Sequence, residues 1–114
     1  MSLVIFHNHG SHILDPFLRR GFRHVFCAVR VGDYWVTIDG QAGLPAINVV
    51  APVDFDLRSY YEGQGFTVLR TAIGSPGRWP YVLANCVGMV KVILGIRSMA
   101  ATPYQLYRYL RRHQ

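Results

Sequence analysis

"RHVFCAVRVGDYWVTIDG", residues 23–40, decides how this chain folds. Up to Val31 its residues alternate: Val25, Cys27, Val29 and Val31 fall on one side, and His24, Phe26, Ala28 and Arg30 on the other. That period of two marks a β-strand. Gly32-Asp33 is a tight-turn signal, and Tyr34–Asp39 reads as the returning strand. The outcome is a β-hairpin over 22–40, and with it an antiparallel sheet.

Working outward from the hairpin, "LVIF" (3–6) is a short β-type run, separated from it by the polar "HNHGSH" and the irregular "LDPFLRRGF" (14–22). On the other side lies the loop "GQAGLP" (40–45). "INVV" (47–50) reads as a third short strand and "FTVLRTAI" (66–73) as another β-rich run. Between them, 52–65 has the composition of a short helix, capped by Asp54 or Asp56 and ended by glycines. Beyond the "GSPGRWP" loop (74–80) the spacing changes to helical: Val87, Val90 and Leu94, with Met89 and Ile93, share one face. Asn85 is a good N-cap and Gly95 a C-terminal glycine, which gives a helix over 85–95. A last helix over 102–113 opens with Thr102-Pro103 and buries Leu106, Tyr109 and Leu110. The expected architecture is one α+β domain over 1–114, a small antiparallel sheet packed on two or three helices.

Hydrophobic residues make up 51% of the 114 and charged residues 16%, a balance that excludes a disordered chain. The longest apolar stretches are broken by lysine or glycine and are too short to span a bilayer. No basic segment followed by an apolar one opens the chain. The expectation is therefore a cytoplasmic or virion-associated protein rather than a classically secreted one. The net charge is +6, with eleven of the twelve basic residues arginine. Arg19, Arg20 and Arg23 form one cluster and Arg108, Arg111 and Arg112 another, which suit an acidic partner. Neither is interleaved with aromatics in an RNA-binding pattern, so nucleic acid is not the expected ligand.

Two cysteines are too few for a disulfide framework. Cys27 lies on the apolar alternation of its strand and is expected in the core. Cys86 falls at the first position of the helix that Asn85 caps. There, unpaired backbone N–H groups and the positive end of the helix dipole favour a thiolate, and the same N–H groups can hold an oxyanion. A cysteine nucleophile needs an imidazole to take its proton, and the imidazole needs an orienting group. His24 begins the first hairpin strand and Asp39 ends the second, so a turn at 32–33 brings them close at one end of the hairpin.

"NCVGMV" resembles the "DCSGLV" around the nucleophile of NlpC/P60 cysteine peptidases, with Asn85 for aspartate and Val87 for serine. "RHVFCAVRVGDYWVTIDG" resembles the histidine hairpin of the same family. Here the histidine precedes the cysteine, an order similar to the circularly permuted papain-like branch of YiiX-like and lecithin-retinol acyltransferase-like proteins. The resemblance covers about a quarter of the chain, residues 22–40 and 84–95. It implies a permuted papain-like topology with Cys86 as nucleophile, His24 as base and Asp39 as the third residue. The oxyanion donor would be the Cys86 backbone N–H, with Tyr81 and Asn85 as further candidates. The implied activity is a cysteine hydrolase that cleaves an amide or peptide bond through an acyl-enzyme, suited to a bacterial or phage cell-wall peptide. Acyl substrates also occur in this superfamily. The alternative is a catalytically silent papain-like module that binds an acidic partner.

His7, His9 and His12 do not have a familiar zinc-ligand spacing, so neither a metal nor a cofactor is expected. His9 and His12 are instead candidate lining of the substrate groove, as is Trp35. The glycine-rich pieces do not link a strand to a helix in the phosphate-binding manner.

Overall fold

The computed structural model describes residues 2–8, 20–41, 44–73 and 86–113. Five strands, β1 (Ser2–His7), β2 (His24–Val31), β3 (Tyr34–Gln41), β4 (Leu44–Pro52) and β5 (Thr67–Thr71), form one sheet in the order β4-β3-β2-β1-β5. Every pairing is antiparallel. Three helices complete the described fold: α1 (Leu57–Gly63), α2 (Cys86–Leu94) and α3 (Pro103–Arg112). The α+β class and the antiparallel sheet agree with the sequence reading. No helix among the described residues is long and apolar enough to cross a membrane.

The sheet is covered on both faces. On one, Val4 and Phe6 of β1, Val25 and Cys27 of β2 and Leu69 of β5 pack against Val87, Val90 and Leu94 of α2 and Leu106 and Leu110 of α3. On the other, Leu3, Ile5, Phe26, Ala28 and Trp35 pack with Leu57 of α1 and Val68. Two-sided burial explains why β1 is buried along its whole length and reads as a continuous apolar run. It also gives both halves of the β2 alternation a core to enter.

Boundaries differ where local signals were overridden. The strand expected over 47–50 is β4 and runs Leu44–Pro52. It tolerates two prolines because it is the sheet edge, where a missing N–H costs no ladder bond on the outer side. The first helix contracts to Leu57–Gly63. Asp56, not Asp54, is its cap, its carboxylate accepting from the Ser59 N–H at 3.1 Å. The final helix begins with a full capping box, in which Thr102 accepts from the Gln105 N–H while the Gln105 side chain accepts from the Thr102 N–H.

Lys91, which interrupts the apolar run of α2 in the sequence, is buried. Its Nζ donates to the carbonyls of Ser98 at 3.0 Å and Ala100 at 2.7 Å, tying down the connection to α3. Burial lowers its pKa from the ordinary lysine value.

Helix α2 lies close against β3 at Gly40. A Cβ there would stand 2.9 Å from the Met89 Cβ and 3.0 Å from its Cγ, nearer than packed carbons approach. Gly40→Ala must push α2 away and carry Cys86 with it. The expected loss is about 1–3 kcal/mol, measured by urea unfolding at unchanged slope.

Candidate active site

His24 opens β2, and the β1–β2 register sets it directly opposite His7. The β2–β3 ladder ends at the pair Cys27–Ile38. Continued by one step, the same register would set Asp39 against Phe26, so His24 and Asp39 are diagonal neighbours at the end of the hairpin. The diagonal closes: His24 Nε2 and Asp39 Oδ1 are 2.5 Å apart. His24 is buried, and its ring lies 5.0 Å from that of His7, which itself stacks on Phe66 at 4.8 Å.

Cys86 is the first residue of α2, half-buried, and packs against the α2 face of the sheet. His24 alternates with Val25 and so belongs with Phe26 to the other face. The two meet where the β2–β3 ladder has ended. A side-chain hydrogen bond and the charge of Cys86 both act on the His24 ring. With Nε2 occupied by Asp39, Nδ1 is the nitrogen left for the thiol. The imidazole is thus hydrogen-bonded to a carboxylate and under the influence of a thiol.

Burial alone would lower the His24 pKa. The hydrogen bonds to Asp39 and Cys86 and the charges of both outweigh it, raising His24 from 6.5 to about 9. At neutral pH the ring is thus held as an imidazolium. Tyr61 of α1 is a further titratable group near this end. Its phenol pKa is raised first by burial, then by the charges of Tyr60 and Asp39.

Cys27 is a core residue, as its alternation indicates. It is fully buried and its thiol donates weakly to the Ile38 carbonyl at 3.8 Å. Burial first, and the Asp39 charge second, push its pKa from 9.0 up to about 12. The unfolded thiol ionises near 9 while the folded one keeps its proton, so the associated stability is complete below 9 and lost as pH rises toward 12. The full loss is on the order of 4 kcal/mol. Cys27→Ala is expected to flatten the alkaline limb of a stability–pH curve relative to wild type.

One groove candidate is corrected. Trp35 is 4% exposed and packs in the α1-side cluster, its indole N–H donating to the Phe55 carbonyl at 3.2 Å. It sits near the hairpin turn, at the far end of the strands from His24. His9, His12, Tyr81 and Asn85 lie outside the described residues. His7 is the residue that the hairpin reading missed as a neighbour of His24. Its signal is the antiparallel register of β1 with β2, which no local pattern supplies. Gly40 and Met89, which set the distance between α2 and β3, were likewise visible only through packing.

No protein-family model, curated protein or solved structure matches this chain.

Proposed function

We propose that the protein is a cysteine hydrolase with a permuted papain-like arrangement, acting on an amide or peptide bond through an acyl-enzyme. The single observation that carries this reading is the His24 imidazole hydrogen-bonded to Asp39, with Cys86 acting on the same ring. The Cys86 sulfur attacks the carbonyl carbon and forms a C–S bond, and the carbonyl electrons move onto oxygen. The backbone N–H of Cys86, at the start of α2, is the donor proposed for that oxyanion. As the intermediate collapses, His24 gives its proton to the departing amine. The neutral ring then takes a proton from water, whose oxygen attacks the thioester and releases the acid and the thiol. Asp39 keeps the ring oriented throughout. A cell-wall peptide remains the substrate class that the motif resemblance favours.

The test is a brief exposure to limiting iodoacetamide at neutral pH, followed by mass spectrometry of both cysteine peptides. Modification of Cys86 well ahead of Cys27, and loss of any peptide or ester hydrolysis in Cys86→Ala, is the expected result. A Cys86 no more reactive than an ordinary thiol would remove the nucleophile and leave a binding module.

A further inference from the structure

The α1 face of the sheet carries a second charged feature, at the end of the strands away from His24. An open recess of about 380 Å³ lies between the sheet and the turn that leads into α1. Its floor is apolar, made by Leu3, Trp35 and Leu57, all buried. The recess is large enough for a small metabolite, since ligand sites commonly begin near 300 Å³. What distinguishes it is the charge at its rim. Arg30 from β2, Arg58 from α1 and Arg70 from β5 converge on it, and Asp54 and Asp56 face them.

These charges are not equivalent. Asp56 is committed to capping α1, one oxygen accepting from the Ser59 N–H and the other from its hydroxyl at 2.7 Å. Arg58 is paired with Glu62 at 3.6 Å and donates to the Val68 carbonyl at 3.4 Å. Arg30 and Asp54 differ from both. Among the described residues neither has an ion-pair or hydrogen-bond partner, although they have opposite charges and line the same recess. Arg30 is nonetheless fixed: its guanidinium lies 4.8 Å over the Trp35 ring, and that indole is itself anchored to Phe55. A guanidinium placed over an aromatic ring keeps its N–H donors, which pair well with a carboxylate. Phe55, 46% exposed, supplies an apolar wall next to Asp54.

A fixed guanidinium and an uncommitted carboxylate across an apolar floor match a ligand with both charges and an apolar body. We propose that this recess binds a small zwitterion, an α-amino acid with an apolar side chain. Its carboxylate sits on Arg30, its ammonium on Asp54, and its side chain lies against Phe55 and the recess floor. The site is separate from Cys86 and does not depend on the hydrolase reading.

The experiment is an NMR titration of the full ¹⁵N-labelled chain with L-phenylalanine, phenylacetate and phenethylamine in turn, followed at the Trp35 indole N–H. L-Phenylalanine should shift that resonance and bind more tightly than either singly charged analogue. Arg30→Gln should weaken L-phenylalanine and phenylacetate by about tenfold or more, a charged hydrogen bond's contribution, and spare phenethylamine. Asp54→Asn should weaken L-phenylalanine and phenethylamine and spare phenylacetate. Both side chains are exposed, so folding survives either change, and a spectrum of the free variant unchanged outside the recess verifies it. No shift of the indole resonance up to saturation, equal binding of all three compounds, or indifference to both substitutions would overturn the proposal.

Discussion

Replacing His24 with alanine is expected to slow hydrolysis through Cys86 by about 10²–10⁴-fold, the usual contribution of a positioned acid–base group. The same change should cut the rate of Cys86 alkylation at neutral pH by roughly tenfold or more, because a thiol of ordinary pKa is only a few per cent ionised there. The two readouts separate the roles of the ring. Alkylation reports the imidazolium that stabilises the thiolate, while hydrolysis also needs the proton delivered to the leaving group. Asp39→Asn should keep part of the alkylation rate and lose more of the hydrolysis, since it removes the charge that holds the ring as imidazolium but leaves Cys86 in place. A His24→Ala protein whose Cys86 reacts as fast as wild type would sink the assignment.

The His24 proton also has a stability signature that needs no substrate. Its folded pKa, about 9, lies above the unfolded value of 6.5. The folded state therefore binds more protons than the unfolded state between those limits, and stability falls as pH rises through them. This contribution is complete below about 6.5 and gone above about 9, on the order of 3 kcal/mol in all. In His24→Ala the slope over that window should flatten, whereas the later slope due to Cys27 should remain. Denaturant unfolding across the two windows resolves one group from the other.

Phe6→Ala is expected to cost about 3–5 kcal/mol, the largest stability effect of any single truncation considered. Phe6 is fully buried in β1, a strand hydrogen-bonded on both sides, to β2 and to β5. Its ring lies 5.5 Å from that of Phe22 and meets Tyr107 of α3 edge to face at 5.6 Å. Alanine would lose the burial and both aromatic contacts, and it would open a void between the sheet and α3 that neither neighbour can fill without leaving its own packing. Thermal and urea unfolding measure the loss. A cost below about 1 kcal/mol would mean that α3 relaxes onto the sheet, against the close packing described.

Several parts of the molecule are legible in the sequence because their causes lie within a few residues. The hairpin follows from alternation on either side of Gly32-Asp33, and both strands are found there, β3 continuing past Asp39 to Gln41. The helix beginning at Cys86 and ended by Gly95, with its φ of 65°, follows from helical spacing and a terminal glycine. The Thr102 capping box is equally local. The His24–Asp39 pair was legible for the same reason, since hairpin register alone brings the two near each other.

Other parts depend on contacts between distant segments, which no local pattern encodes. β1 is inserted between β2 and β5, a placement that brings Ser2 within 2.7 Å of the Thr71 carbonyl, 69 residues away. That insertion is what sets His7 beside His24. Alternation separates the two faces of β3 and β2, but only the docking of α1 and α2 decides which face meets the cysteine helix. Trp35 went to the α1 side for that reason. Lys91 reads as a break in an apolar run until the 95–101 segment folds back and offers two carbonyls to its ammonium. What the sequence by itself determined was the hairpin, the helix starts and the nearness of His24 to Asp39, because backbone geometry and short-range register suffice for them. The tertiary structure decided the meeting of His24 with Cys86, the fit of Gly40 against Met89 and the recess at Arg30, because each requires surfaces from separate elements to pack together.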